Sequence, residues 1–193
     1  MKALKQKRLT QLKQQCERES SEPTVFGEGN ADARIILVGE APGAKEVELQ
    51  RPFVGQAGKN LDEFLEVLEL NREDIYITNV VKIRPYKVNE KTGRKSNRPP
   101  SKKEIEQYGK YLDEEIDVIK PRIVVTLGNV PLKFVLKDQK AIIGEKHGQP
   151  ISIGEKYIFP LYHPASIIYN QQLKTTYIED LHKLKEFVYE EIL

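Results

Sequence analysis

The chain reads as an α/β fold, a parallel sheet covered on both faces by helices, on two observations. Short runs rich in Ile and Val (residues 34–38, 75–81, 123–127 and 157–161) alternate with segments of helical periodicity, the pattern of a parallel sheet with helical crossovers. Each run also ends on glycine or a polar residue: Gly39-Glu40, Asn79, Gly128-Asn129 and His163. The carboxyl edge of such a sheet is where ligands bind, so residues far apart in sequence are expected to converge there.

The elements follow in order. Residues 2–18 are rich in Lys and Gln with leucines at 4, 9 and 12, which predicts a helix, and residues 1–24 read as an N-terminal helical extension of one domain spanning 1–193. After the first strand comes GEAPGAKEVELQRPFVGQAG, with four glycines and two prolines in the twenty residues 39–58; such a composition places backbone and shapes a pocket rather than filling a core. A helix is predicted over 57–70, with Leu61, Phe64, Leu65 and Leu68 on one face. Beyond the second strand lies a basic loop, taken as an insertion over 84–100. Ser101 with Glu104 three residues on is a capping box, and its helix runs to 119, before Pro121. A short helix is expected over 131–136. The last helix, 174–191, would place Ile178, Leu181, Leu184, Lys185 and Val188 inward.

Composition narrows the function. A chain of 193 residues with 39% apolar and 31% charged content suits one soluble domain. No apolar run nears the roughly 20 residues needed to span a bilayer, and the first twenty residues lack the apolar core of a signal peptide. A cytoplasmic location and no membrane partner are therefore expected. Cys16 is the single cysteine, so an intrachain disulfide and a cysteine-rich metal site are excluded. The whole chain carries +2, but residues 82–103 hold nine Lys/Arg against one Glu, or +8, leaving −6 elsewhere. Such a block is the footprint of a polyanion-binding surface, or else a solvated loop.

Common catalytic signatures are missing. There is no GxGxxG after the first strand, no GxxxxGK[ST] and no GxSxG elbow; His147, His163 and His182 have no ligand-like spacing. What remains is an aromatic, an amide and an imidazole. Phe53, in a Pro-Phe-Val-Gly turn, can present its ring to a flat ligand. Asn79 offers one acceptor and two donors, which suits the edge of a base. His163 can donate to a carbonyl oxygen that gains negative charge. Each alone also has an ordinary reading, as core, strand-end turn or surface residue; together at one sheet edge they form a candidate site.

The blocks GEAPGAKE, RPFVGQAGKNLDEFL, TNVVKIRP, NRPPSKKEI, IVVTLGN and YHPASII resemble, in order, those of the uracil-DNA glycosylase superfamily, and its family-4 branch in particular. The resemblance covers residues 25–190. It implies a three-layer α/β/α sandwich with a four-stranded parallel sheet, usually monomeric, that hydrolyses the N-glycosidic bond of deoxyuridine in DNA. Matched position by position, it implies that Phe53 stacks on the flipped base, Asn79 reads its pyrimidine edge, and His163 steadies negative charge on O2. The backbone of Gly39 and Gly43, with Glu40, would place the attacking water, and Glu46 would assist. Other branches carry an Asp at the place of Ala41. Lys82, Arg84, Arg94, Lys95 and Arg98 would meet phosphates, and Ile167, Ile168 and Tyr169 would wedge into the duplex.

The chain departs from the branch where four cysteines usually hold an iron–sulfur cluster. Ile83 and Tyr108 stand at two of those places and only Cys16 lies near the N-terminal pair, so no cluster and no other cofactor is expected. An X-type branch traps the sugar on a histidine; Asn97 stands there, so covalent trapping is not expected. No lysine nucleophile is apparent in the pocket motifs, which implies a monofunctional enzyme. Two other readings stay open: a glycosylase of this fold for another deaminated base such as hypoxanthine or xanthine, and a non-catalytic nucleic-acid-binding protein.

Overall fold

A computed structural model describes residues 1–167 and 170–192, the Gln171 side chain aside. In chain order the elements are α1 (Lys2–Glu19), β1 (Glu28–Gly29), β2 (Ile35–Gly39), α2 (Ala44–Leu49), α3 (Gly55–Leu68), β3 (Tyr76–Asn79), β4 (Tyr86–Val88), β5 (Lys95–Asn97), α4 (Lys102–Ile119), β6 (Ile123–Leu127), α5 (Asn129–Leu136), α6 (Ile143–Lys146), β7 (Ile151–Ile153), β8 (Lys156–Leu161), α7 (Pro164–Ile167) and α8 (Gln171–Ile192).

The main sheet has the order β1-β3-β2-β6-β8-β7. Its four central strands are parallel, as expected, but antiparallel β1 and β7 close its two edges. The expected four strands thus become six, because two short flanking segments supply the edges' missing ladder bonds. From β2 the chain crosses to β3 on one side and then to β6 on the other, a topological switch point at the carboxyl ends of β2 and β6.

Alternation along the strands sorts side chains into two apolar layers. Ile36, Val38, Tyr76, Val124 and Ile158 face α1 and α4, with Leu9, Leu12, Cys16, Tyr108 and Leu112. Ile35, Leu37, Ile77, Ile123, Val125 and Phe159 face α3 and α8, with Leu61, Phe64, Leu65, Tyr177, Leu181 and Leu184. Tyr177 lies on the buried stripe of α8 and Lys185 does not; the Lys185 ammonium reaches Glu69 at 2.7 Å. The N-terminal α1 packs on α4 and contributes to the core. The Ser101/Glu104 capping box forms on both sides, at 3.2 and 2.7 Å.

The basic loop is ordered into an antiparallel hairpin, β4–β5, with Tyr86 opposite Asn97 and Val88 opposite Lys95. Asn89 accepts at Oδ1 from the N–H groups of Lys91 and Thr92, and Gly93 takes φ +67 in its turn. Among the described residues no helix is long and apolar enough to cross a membrane.

Candidate active site

A cleft of about 380 Å³ opens at the carboxyl edge of the sheet, lined by Pro42, Gly43, Phe53, Asn79, Asn97 and His163, among others. A smaller recess of about 270 Å³ shares Ala41, Asn97 and His163 with it and adds Glu40 and Arg98. A wider cleft of about 790 Å³ lies at the amino ends of the strands, between Arg34, Arg122 and Lys156. None of the candidate site residues lines it.

Close approach explains the glycine at the end of β2. A Cβ on Gly39 would stand 2.4 Å from Asn79 Oδ1 and 2.7 Å from Phe53 Cζ, so only a bare backbone lets ring and amide meet there. Phe53 itself takes φ +52, a conformation that a bulky residue adopts only when its surroundings enforce it. The enforcement comes from Arg72, whose guanidinium donates to the carbonyls of Pro52 and Phe53. Glu28 in turn holds Arg72 and Arg51, at 2.8 and 2.9 Å. Burial opposes charge on Glu28, yet bonds from the two arginines outweigh it and lower its pKa. Neither Arg72 nor Glu28 was expected at the site, since nothing local marks them.

Glu46, expected to assist the water, lines the cleft and also holds the loop around it. Its Oε2 accepts from Gly43 N–H and its Oε1 from Val54 N–H, both at 3.1 Å, and the residue is buried. The carboxylate therefore staples the two arms of the 39–55 loop from the cleft wall, each oxygen accepting one backbone N–H. Glu40 behaves otherwise: its carboxylate has no partner among the described residues, it lines the recess beside His163, and burial raises its pKa above the usual 4.5.

Asn79 is the last residue of β3 and only 4% exposed. No described residue takes up its side-chain amide, which faces the cleft beside Phe53. His163 follows β8. Gly128, at φ +86, leaves room for it, because a Cβ there would lie 3.2 Å from His163 Cβ. His163 Nδ1 accepts from Ala165 N–H at 3.1 Å, which puts the proton of the neutral ring on Nε2. Burial lowers the pKa below 6.5, so at neutral pH the ring is an uncharged Nε2–H donor.

Both shifts resist charge. Folded Glu40 holds its proton more tightly, so stability declines as pH rises from 4.5 through its folded pKa; His163 costs stability as pH falls below 6.5 through its folded value. If Glu40 must be ionised for turnover, the acid limb of the rate will lie above pH 4.5, and Glu40→Gln will abolish that limb along with most of the rate. A pH–rate profile of both proteins checks this, and an unchanged limb in the variant excludes Glu40.

The basic residues divide sharply. Lys82, expected at a phosphate, is fully buried, with Nζ 2.6 Å from Glu115 Oε2; its side chain folds back to Thr78 Oγ1 and the Asn79 carbonyl rather than out to solvent. Arg98 makes a two-pronged pair with Glu104 at 2.8 Å, and Arg84 donates to Asn97 Oδ1 at 2.7 Å. Arg94 and Lys95 are exposed on the hairpin, with Lys87 and Lys91. Ile167 is 7% exposed and belongs to the core under α3 and α8, so it does not serve as a wedge; Ile168 and Tyr169 lie outside the described residues. Lys45 lines the cleft, its ammonium 2.8 Å from Glu48.

The positions at which the family-4 branch would carry cluster cysteines share one apolar layer: Cys16, Ile83 and Tyr108 are all buried there. Burial pushes the Cys16 thiol up to about 12, which favours thiol over thiolate, and Tyr108 pairs with Ser20 at 2.8 Å. One protonated thiol among apolar groups does not fit a group that needs four thiolates.

A sheet of this topology, with an aromatic, an amide and a neutral imidazole at its carboxyl edge, defines a pocket for a flat polar ring. The uracil DNA glycosylase superfamily model matches residues 26–184. The type-4 uracil-DNA glycosylase of Thermotoga maritima is 39% identical over 170 residues, 86% of this chain and 84% of that one. That of Archaeoglobus fulgidus is 39% identical over 169 residues, covering 84% and 80%. The type-5 uracil-DNA glycosylase of Pyrobaculum aerophilum is 32% identical over 158 residues, covering 74% and 66%. The chain belongs to the uracil-DNA glycosylase superfamily and is family-4-like.

Proposed function

We propose that this protein is a monofunctional DNA glycosylase that removes uracil from DNA by hydrolysing its N-glycosidic bond, as a step of base excision repair. The observation that carries the reading is the meeting of Phe53, Asn79 and His163 on one cleft in a chain of this superfamily. Phe53 stacks on the extruded base, and the Asn79 amide pairs with its edge. As the glycosidic bond breaks, the electron pair stays with uracil, and His163 Nε2–H donates to the oxygen where charge gathers. Water adds to the sugar carbon, its proton passing to Glu40 or solvent. Ala41 offers no carboxylate, which leaves Glu40 in the recess and Glu46 on the adjoining cleft as the acidic groups near the water. The reaction needs no bound cofactor, and we propose that the protein holds no iron–sulfur cluster. We take it to act as a cytoplasmic monomer.

Release of free base from oligonucleotides carrying uracil, hypoxanthine or xanthine, single-stranded and paired, tests the reading. Uracil is the expected preferred substrate. Faster release of a purine would transfer the specificity to that base, and no release at all would leave a nucleic-acid-binding protein.

The hairpin supplies the nonspecific part of DNA binding. Replacing Arg94 and Lys95 by Ala is expected to weaken all sequences alike and to lower the slope of log K against log salt by about 0.7–0.9 for each phosphate that is no longer neutralised. A salt titration of binding checks this; an unchanged slope would take the hairpin off the DNA.

A further inference from the structure

Directly behind Asn79, on the side away from the cleft, lies a buried ion pair. Lys82 and Glu115 are both 0% exposed. All three ammonium protons are used: Nζ lies 2.6 Å from Thr78 Oγ1, 2.7 Å from the Asn79 carbonyl and 2.6 Å from Glu115 Oε2. Glu115 reaches up from α4 and also accepts from Gly27 N–H, Tyr76 Oη and Thr78 Oγ1, at 3.2, 2.9 and 2.9 Å.

Such a pair is a poor way to stabilise a fold, because apolar residues of similar volume usually serve as well or better. A fully bonded network is, however, a good way to fix directions in a low-dielectric interior. Here the direction concerned is that of Asn79. The ladder between β2 and β3 ends at the pair Gly39–Asn79. Past it, Val80 N–H and Val81 N–H reach the carbonyls of Gly39 and Glu40, both at 3.0 Å. The Asn79 carbonyl is taken by Lys82 instead, three residues on. On the cleft side the Asn79 amide has no partner among the described residues to steer it. Its aim is therefore set by packing against Phe53 and by the backbone that Lys82 holds.

We infer that Lys82, with Glu115 as its counter-ion, is a positioning residue that aims the Asn79 amide at the base. The inference rests on the base-reading role proposed for Asn79. It replaces a phosphate contact with a contact to the reading residue's own backbone, from the opposite side of the sheet.

The test is a cycle of four proteins: wild type, Lys82→Met/Glu115→Gln, Asn79→Ala, and the combination. Single-turnover uracil release, DNA binding and thermal unfolding are measured for each. The paired substitution removes both charges and leaves an amide oxygen at position 115 to accept from Gly27 and Tyr76. It is expected to leave DNA binding near wild type and to slow release by about 10- to 100-fold, as small misplacements of a reacting group do. In the Asn79→Ala background the same substitution is expected to cost almost nothing, since coupled residues lose a shared interaction once. An equal loss in both backgrounds, or no loss in either, overturns the inference and leaves a structural pair. If Asn79→Ala itself releases uracil at the wild-type rate, the base-reading role fails, and this inference with it. Should the paired variant not fold, Thr78→Val, which removes the hydroxyl bridging the two charges, takes its place in the same cycle.

Discussion

Replacing His163 by Ala is expected to slow uracil release by roughly 10²–10³-fold, the usual cost of removing one fixed donor from a developing anion. KM should change little, because the lost interaction forms only as the glycosidic bond breaks. The geometry behind this is specific. Ala165 N–H occupies Nδ1 at 3.1 Å and burial keeps the ring neutral, so Nε2–H is the ring's available donor. A neutral donor suits a leaving group that departs as an anion, since it steadies charge without having to give up a proton. Single-turnover kinetics under saturating enzyme decide the matter, and a variant within a few-fold of wild type would take His163 out of the reaction. His163→Gln, which retains a donor on a more flexible stem, should fall between the two.

Asn79→Asp carries the second large effect. Uracil shows a donor at N3 and an acceptor at O4, and an amide matches both at once. Cytosine shows the reverse pattern, an acceptor at N3 and a donor at the exocyclic amine. A carboxylate can only accept, so it meets O4 with repulsion in a position just 4% exposed. Loss of uracil release should approach the ~10⁴-fold typical when a site built for a hydrogen bond is left without it. When protonated, the same carboxyl can donate to N3 of cytosine and accept from its amine, so slow cytosine release is expected to emerge. Free base measured from matched uracil and cytosine strands checks both directions. Full uracil activity in the variant would end the edge-reading role.

Much of the frame was legible in the chain. The strand at 123–127 and the capping box at Ser101 form where local pattern puts them, because an apolar β-branched run and a reciprocal cap are local physics. Asn79 and His163 were legible as polar residues where strands end, since a parallel sheet gathers those ends, whereas Phe53 reaches the same edge from the loop between α2 and α3. Edges were harder. β1 has two residues and β7 three, too few to show a period, and they exist because a neighbouring strand offers unpaired groups. The hairpin was hidden by charge: Lys95 and Tyr86 fall in a basic loop with no strand pattern, but cross-strand pairing and a 4.2 Å cation–ring contact order them.

The sequence by itself determined the parallel sheet, the loop of glycines after its first long strand and the three groups at its carboxyl edge. All of these follow from periodicity and from where polar residues interrupt it. The tertiary structure decided which charges face the cleft and which are tied to partners inside the fold. Lys82 sits in a basic block, but its counter-ion Glu115 is 33 residues away on another layer. Glu46 holds the two arms of the loop at Gly43 and Val54, and Arg72 reaches Phe53 from beyond α3. A side chain's charge is a property of its sequence position, but its partner is set by how the layers close, and in the interior the partner determines the role.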